Sequence, residues 1–205
     1  ISNMQLSDAR DELMRRAEEG IEHEAVRVDL SKHETENGDD FYAISPRGYV
    51  PAIETDDIGL LTENPAVLTY IADRGDAAPS GVDRYKMLEW IGFIGTEIHG
   101  GYHPLFGGDT DDRQAKAKDS LAEKYRLTET LMDGGDFLVG DRPTVADNYL
   151  FVTLLWADKF GIEVACLRIG TVSREDDPTA NIRMRATWLS HRDVAHLIDR
   201  CLAVD

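Results

Sequence analysis

The chain has 205 residues, and 39 Asp+Glu against 22 Lys+Arg give it a formal net charge of −17 at pH 7. An acidic surface of that size repels phosphates, which argues against a nucleic-acid partner and against recruitment to an anionic membrane. Hydrophobic residues make up 42%, enough apolar material for a core, and the length allows one or two domains.

Residues 1–6 offer a first strand, and residues 7–19 read as a helix with Ser7 as its N-cap and Gly20 as its stop. Residues 25–30 alternate polar and apolar, the pattern of a half-buried strand. A helical turn is expected at 39–44, followed by the loop signal Ser45-Pro46-Arg47-Gly48. A short strand containing Pro51 is expected at 49–54, a turn at 56–59, and a returning strand at 60–62. Glu63-Asn64-Pro65 then opens a helix that runs to about Ala72, with Pro65 in its first turn.

The Gly/Pro/Ser/Asp stretch 74–81 is the natural domain boundary, and beyond it the pattern is helical throughout. Residues 83–100 read as one long helix with Leu88, Ile91, Ile94 and Ile98 on or near its core face. Residues 112–132 form a second helix, stopped by Gly134-Gly135, and the nearly all-apolar run 145–160 reads as a helix buried on most sides. Two shorter helices, 180–190 and 193–202, are expected at the end. Thr144-Val145-Ala146-Asp147 has the form of a capping box in which Asp replaces the usual Glu or Gln.

Three features bear on chemistry. A proline within a strand cannot donate to the ladder; a cis bond before Pro51 would turn the Val50 backbone outward toward an extended peptide. Glu63-Asn64 places a carboxylate and an amide at a helix start, where unpaired N–H groups favour an anion; a ligand carrying both an amine and a carboxylate suits that pair. His99 lies at the end of the long helix. The six histidines show no metal-ligand spacing, and no P-loop, G-x-S-x-G or C-x-x-C occurs. The two cysteines, Cys166 and Cys201, are too few for a disulfide framework. The longest apolar run, 149–157, is too short to cross a bilayer, and no basic segment followed by an apolar one opens the chain. A cytoplasmic setting is expected.

Taken together, these segments resemble the glutathione transferase family. Residues 41–73, FYAISPRGYVPAIETDDIGLLTENPAVLTYIAD, look like its glutathione-binding half. Residues 136–157, DFLVGDRPTVADNYLFVTLLWA, look like its buried-helix capping motif, and residues 89–106, EWIGFIGTEIHGGYHPLF, are similar to the bacterial beta class in particular.

The resemblance implies an α+β thioredoxin-like N-terminal domain (1–75), a linker (76–82) and an all-α C-terminal domain (83–205), assembled as a homodimer. It implies glutathione as co-substrate with no metal, and a small hydrophobic electrophile as the second substrate. Lys32, Val50, Pro51, Glu63 and Asn64 would bind glutathione. His99 would stand beside the thiol, and Tyr102, His103, Leu105 and Phe106 would line the electrophile pocket. Relatives carry a Tyr, Ser or Cys near the front of the chain that stabilises the thiolate. Here no Cys or Tyr precedes Tyr42, and Ser7 is the candidate hydroxyl. That departure keeps a second reading open, a weakly active or non-catalytic binding or regulatory protein. A third, a thiol-dependent peroxidase or reductase, would need Cys166 or Cys201.

Overall fold

The structure is a computed structural model that describes residues 24, 26–74, 78–162 and 164. The expected elements at 1–6, 7–19, 180–190 and 193–202, together with Ser7 and both cysteines, lie outside the described residues. The chain divides into two compact units, Ile1–Ala78 and Pro79–Asp205.

In the first unit, β1 (Val28–Asp29) pairs antiparallel with β2 (Glu34–Thr35). The expected strand at 25–30 is cut to two residues because the Asp29 carboxylate accepts from both the N–H and the hydroxyl of Ser31, at 2.9 and 2.6 Å. Such a local turn competes with extended pairing. A single helical turn, α1 (Phe41–Ile44), follows, capped by the Asp40 side chain, which accepts from Tyr42 N. The loop after α1 turns at Gly48 (φ 68°), where an added Cβ would lie 2.5 Å from the Tyr42 ring. Glycine is therefore required twice over, for its left-handed backbone and for the close approach.

Strands β3 (Ala52–Thr55) and β4 (Gly59–Thr62) form a hairpin in the register Ala52↔Thr62 to Thr55↔Gly59. The strand begins only after Pro51, which has no N–H to give the ladder. Helix α2 (Asn64–Arg74) buries Val67, Leu68, Ile71 and Ala72, a stripe at helical spacing, and packs on β4. At its far end Tyr70 and Arg74 both reach Asp57 in the hairpin turn. The Tyr70 hydroxyl, with Arg74 helping, holds the Asp57 carboxyl below the ordinary range.

The elements of the second unit among its described residues are all helical. Helix α3 (Gly81–Phe93) continues without a break into a π-helical stretch, Ile94–His99, then a 3₁₀ turn, Gly100–Tyr102, then α4 (His103–Phe106). The sequence predicts one regular helix over 83–100, so the change of pitch is a departure. Its cause is local: Pro104 has no N–H for the carbonyl four residues back, so the α pattern cannot run through it, and it sits instead in the first turn of α4. The Thr96 hydroxyl also bonds back to the Gly92 carbonyl at 3.0 Å. The core face is Met87, Ile91, Ile94 and Ile98, all at 0% exposure; Leu88, one step round the helix, is 37% exposed.

Helices α5 (Asp111–Met132) and α6 (Val145–Lys159) complete the unit, with α6 packed on α3 and on the π-helical stretch. Helix α6 starts on a reciprocal capping box. Asp147 accepts from the backbone N–H of Thr144 at 2.7 Å, from its hydroxyl at 2.9 Å, and from the N–H of Leu138 at 2.8 Å. Burial pushes the Asp147 carboxyl up, and these donors oppose that shift. Deeper in, the Tyr102 and Tyr125 hydroxyls lie 2.9 Å apart, and both bond to the Thr153 carbonyl at 2.9 and 2.7 Å.

Candidate functional site

The residues singled out from the sequence fall into both units. In the first, Val50 and Pro51 are joined by a cis peptide bond immediately before β3. Glu63 and Asn64 follow β4 and open α2. Because Ala52 pairs with Thr62, these two dipeptides flank the same open end of the β3–β4 hairpin. Four of the five expected binding residues are thus brought to one place by strand register alone. Lys32 stands on the other hairpin, 69% exposed at its side chain and ion-paired with Asp29 at 3.3 Å.

Glu63 has a left-handed backbone (φ 73°), unusual for a residue with a long side chain. Its carbonyl accepts from Val67 N at 3.0 Å, starting the helix, while its side chain remains exposed. The carboxylate is engaged by the guanidinium of Arg47, from the loop between α1 and β3.

In the second unit, His99 is half-buried at the end of the π-helical stretch. Its Nδ1 lies 2.7 Å from the Tyr149 hydroxyl of α6, and its ring meets the Trp156 ring edge-on at 4.8 Å. Trp156 also meets Tyr102 and Phe106, at 5.3 and 5.1 Å. Its indole nitrogen is buried with no hydrogen-bond partner. π-helical turns recur where a helix must re-aim a functional side chain, and the last residue of this one is His99.

With this geometry in hand, comparison with known proteins is decisive. Glutathione S-transferase GstA of Escherichia coli O157:H7 is 40% identical over 146 residues, spanning 68% of this chain and 73% of that protein. The chain belongs to the glutathione S-transferase family. A model of the glutathione S-transferase C-terminal domain matches residues 93–174. Among solved structures, a sphingomonad glutathione S-transferase complexed with glutathione has a TM-score of 0.71 at 38% identity, covering 80% of this chain and 83% of that one. The bacterial beta-class enzyme of Sphingomonas chungbukensis gives 0.70 at 35% identity over the same shares. The fold is accordingly the glutathione transferase fold, a thioredoxin-like α+β region followed by a helical domain.

Within this family member, the four expected pocket residues differ in their burial. Tyr102 is 0% exposed and Leu105 is 7% exposed, so both belong to the core of the helical unit. Tyr102 is drawn inward because its hydroxyl finds partners there in Tyr125 and Thr153. His103 and Phe106 keep exposed surface on α4. Three residues were missed. Tyr149 and Trp156 sit within an apolar run whose period cannot say which member touches His99. Arg47 carried a faint signal, a cation in the loop preceding the Val50-Pro51 pair. Among the described residues no cluster of His, Cys, Asp or Glu could hold a metal, and no helix is long and apolar enough to cross a membrane.

Proposed function

We propose that this chain conjugates the glutathione thiolate to small hydrophobic electrophiles. The observation that carries this reading is the hairpin end where Val50-Pro51 and Glu63-Asn64 meet, in a chain 40% identical to a glutathione S-transferase. The backbone of Val50 pairs with the cysteinyl unit, Glu63 takes the γ-glutamyl ammonium, Asn64 and the start of α2 support its carboxylate, and Lys32 serves the glycyl carboxylate.

A free thiol with a pKa near about 8.5 is mostly protonated at pH 7, and the thiolate is the nucleophile. His99 supplies a donor. In the tautomer where the Tyr149 hydroxyl donates to Nδ1, the ring proton resides on Nε2. His103 and Phe106 face the electrophile. Residues 1–75 serve glutathione, 76–82 link, and 83–205 serve the electrophile, in a cytoplasmic homodimer.

The test is conjugation of a dinitro-activated aryl chloride, in which the sulfur–carbon bond forms as chloride leaves. The rate above buffer with glutathione should fall about 100-fold in His99→Gln, the scale of one lost polar group at a reacting atom. A rate equal to the blank in the unaltered protein overturns the reading. The second reading is binding without turnover. It gains if glutathione raises the melting temperature while conjugation stays at the blank. Ser7 is the hydroxyl to replace if conjugation is found.

A further inference from the structure

We infer that Arg47 is a specificity-determining residue that takes the α-carboxylate of the γ-glutamyl group, so that Arg47 and Glu63 together read an α-amino-acid head. This rests on the reading that Glu63 takes the ammonium of the same group.

The head of a γ-glutamyl peptide is a zwitterion, with ammonium and carboxylate on one carbon. A surface that reads it best presents the reverse zwitterion, a carboxylate beside a planar cation. The Arg47–Glu63 pair is that arrangement, formed between residues 16 apart in sequence, both about 60% exposed at the side chain. Only one Glu63 oxygen meets Arg47 in the pair described, and a carboxylate can accept several donors. The ammonium can therefore join the pair without expelling the guanidinium, and the guanidinium has further N–H donors to turn toward the incoming carboxylate.

Two observations favour Arg47 over the helix start alone as the carboxylate's partner. The first turn of α2 has one donor fewer than an ordinary helix start, because Pro65 has no N–H. Glu63 also holds its left-handed backbone although an ion pair this exposed stabilises a fold very little. Stability therefore gives little reason to keep the two side chains so placed. Electrostatics adds a third. A protein of net charge −17 repels an anionic peptide, and Arg47 puts a full positive charge beside the one carboxylate that must recruit the peptide.

The experiment is titration calorimetry on the full chain with three peptides: reduced glutathione, 4-aminobutanoyl-cysteinylglycine, which lacks the α-carboxylate, and glutaryl-cysteinylglycine, which lacks the α-amine. Arg47→Ala should weaken glutathione about tenfold, the usual effect of one charge-assisted hydrogen bond, and leave the decarboxylated peptide unchanged. Arg47→Lys should recover part of the loss, and this variant keeps the charge if the alanine variant folds poorly. Glu63→Gln should weaken glutathione and spare the deaminated peptide.

Arg47→Ala binding glutathione as well as or better than the unaltered protein overturns the inference, as does an equal loss for glutathione and the decarboxylated peptide. In both cases a Glu63→Gln loss confined to amine-bearing peptides leaves the underlying reading standing. If the unaltered protein binds no glutathione, or Glu63→Gln changes nothing, the underlying reading falls and takes this inference with it.

Discussion

Among the described residues the helical unit buries a charged side chain, Asp147, and the first unit buries none. In the helical unit Asp147, Tyr102, Tyr125 and Thr153 are buried, and their polar atoms meet one another or the backbone at 2.7–2.9 Å. In the first unit the charged pairs Arg47–Glu63, Arg74–Asp57 and Lys32–Asp29 stand at the surface. A buried polar group without its partner costs far more than an exposed one, so the first arrangement is bound up with stability. The second holds charges where an ionic peptide can reach them without desolvating a core. The helical unit thus holds His99 among buried, partnered side chains, and the first unit presents the charges that the proposed function assigns to the ionic ends of glutathione.

The sharpest way to break this contrast is Asp147→Ala. It would leave the N–H groups of Leu138 and Thr144 without their acceptor at the start of α6. A loss of about 3 kcal/mol is expected, the sum of a lost helix cap and unsatisfied buried donors. The matching surface change, Asp57→Ala, frees Tyr70 and Arg74 to water and should lower stability far less. Urea unfolding of both variants measures the two, and equal midpoints would erase the distinction. Glutathione affinity of the folded Asp147→Ala protein should be unchanged.

The second test asks whether the first unit has rigid points of its own. Gly48→Ala combines a left-handed backbone (φ 68°) with a Cβ placed 2.5 Å from Tyr42 Cε1. Strain and overlap together should cost about 2 kcal/mol and shift the loop that carries Arg47. A melting temperature equal to that of the unaltered protein would show that Tyr42, 48% exposed, simply swings away.

How far the sequence revealed this division depends on the range of the interaction. The capping box at Thr144–Asp147 and the β3–β4 hairpin were legible because each is decided within a few residues. The bond at Pro51 was legible only with the family pattern beside it. The π-helical stretch was not, because hydrophobic spacing over 83–98 fits a regular helix and the interruption comes from Pro104, beyond the periodic stretch. From the sequence alone, Tyr102 reads equally well as facing a ligand or as core. Its burial is decided by Tyr125 and Thr153, 23 and 51 residues away. Arg47–Glu63 is the same case at the surface, a contact across 16 residues that no local pattern announces.

The buried tyrosines give an effect that is absent at neutral pH and can be read through pH alone. Burial holds the Tyr102 phenol above its ordinary range, and burial does the same to Tyr125 against the opposing bonds from Thr153 and Tyr102. In the unfolded chain both titrate near about 10. A group whose folded pKa is raised contributes stability that is complete below the unfolded value and is lost as pH climbs toward the folded one. Stability should therefore hold up to about pH 10 and then fall by about 1.4 kcal/mol per pH unit for each buried tyrosine, because only the unfolded chain can release those protons. Replacing both by Phe removes the two titrating groups, so the alkaline slope should flatten by about twice that amount even if the double variant is less stable at neutral pH. Denaturant unfolding at pH 9, 10 and 11 measures the slope. An unchanged slope in the double variant would mean that these phenols ionise as readily in the folded protein as outside it, and the helical unit would then lose its claim to be the sealed half of the molecule.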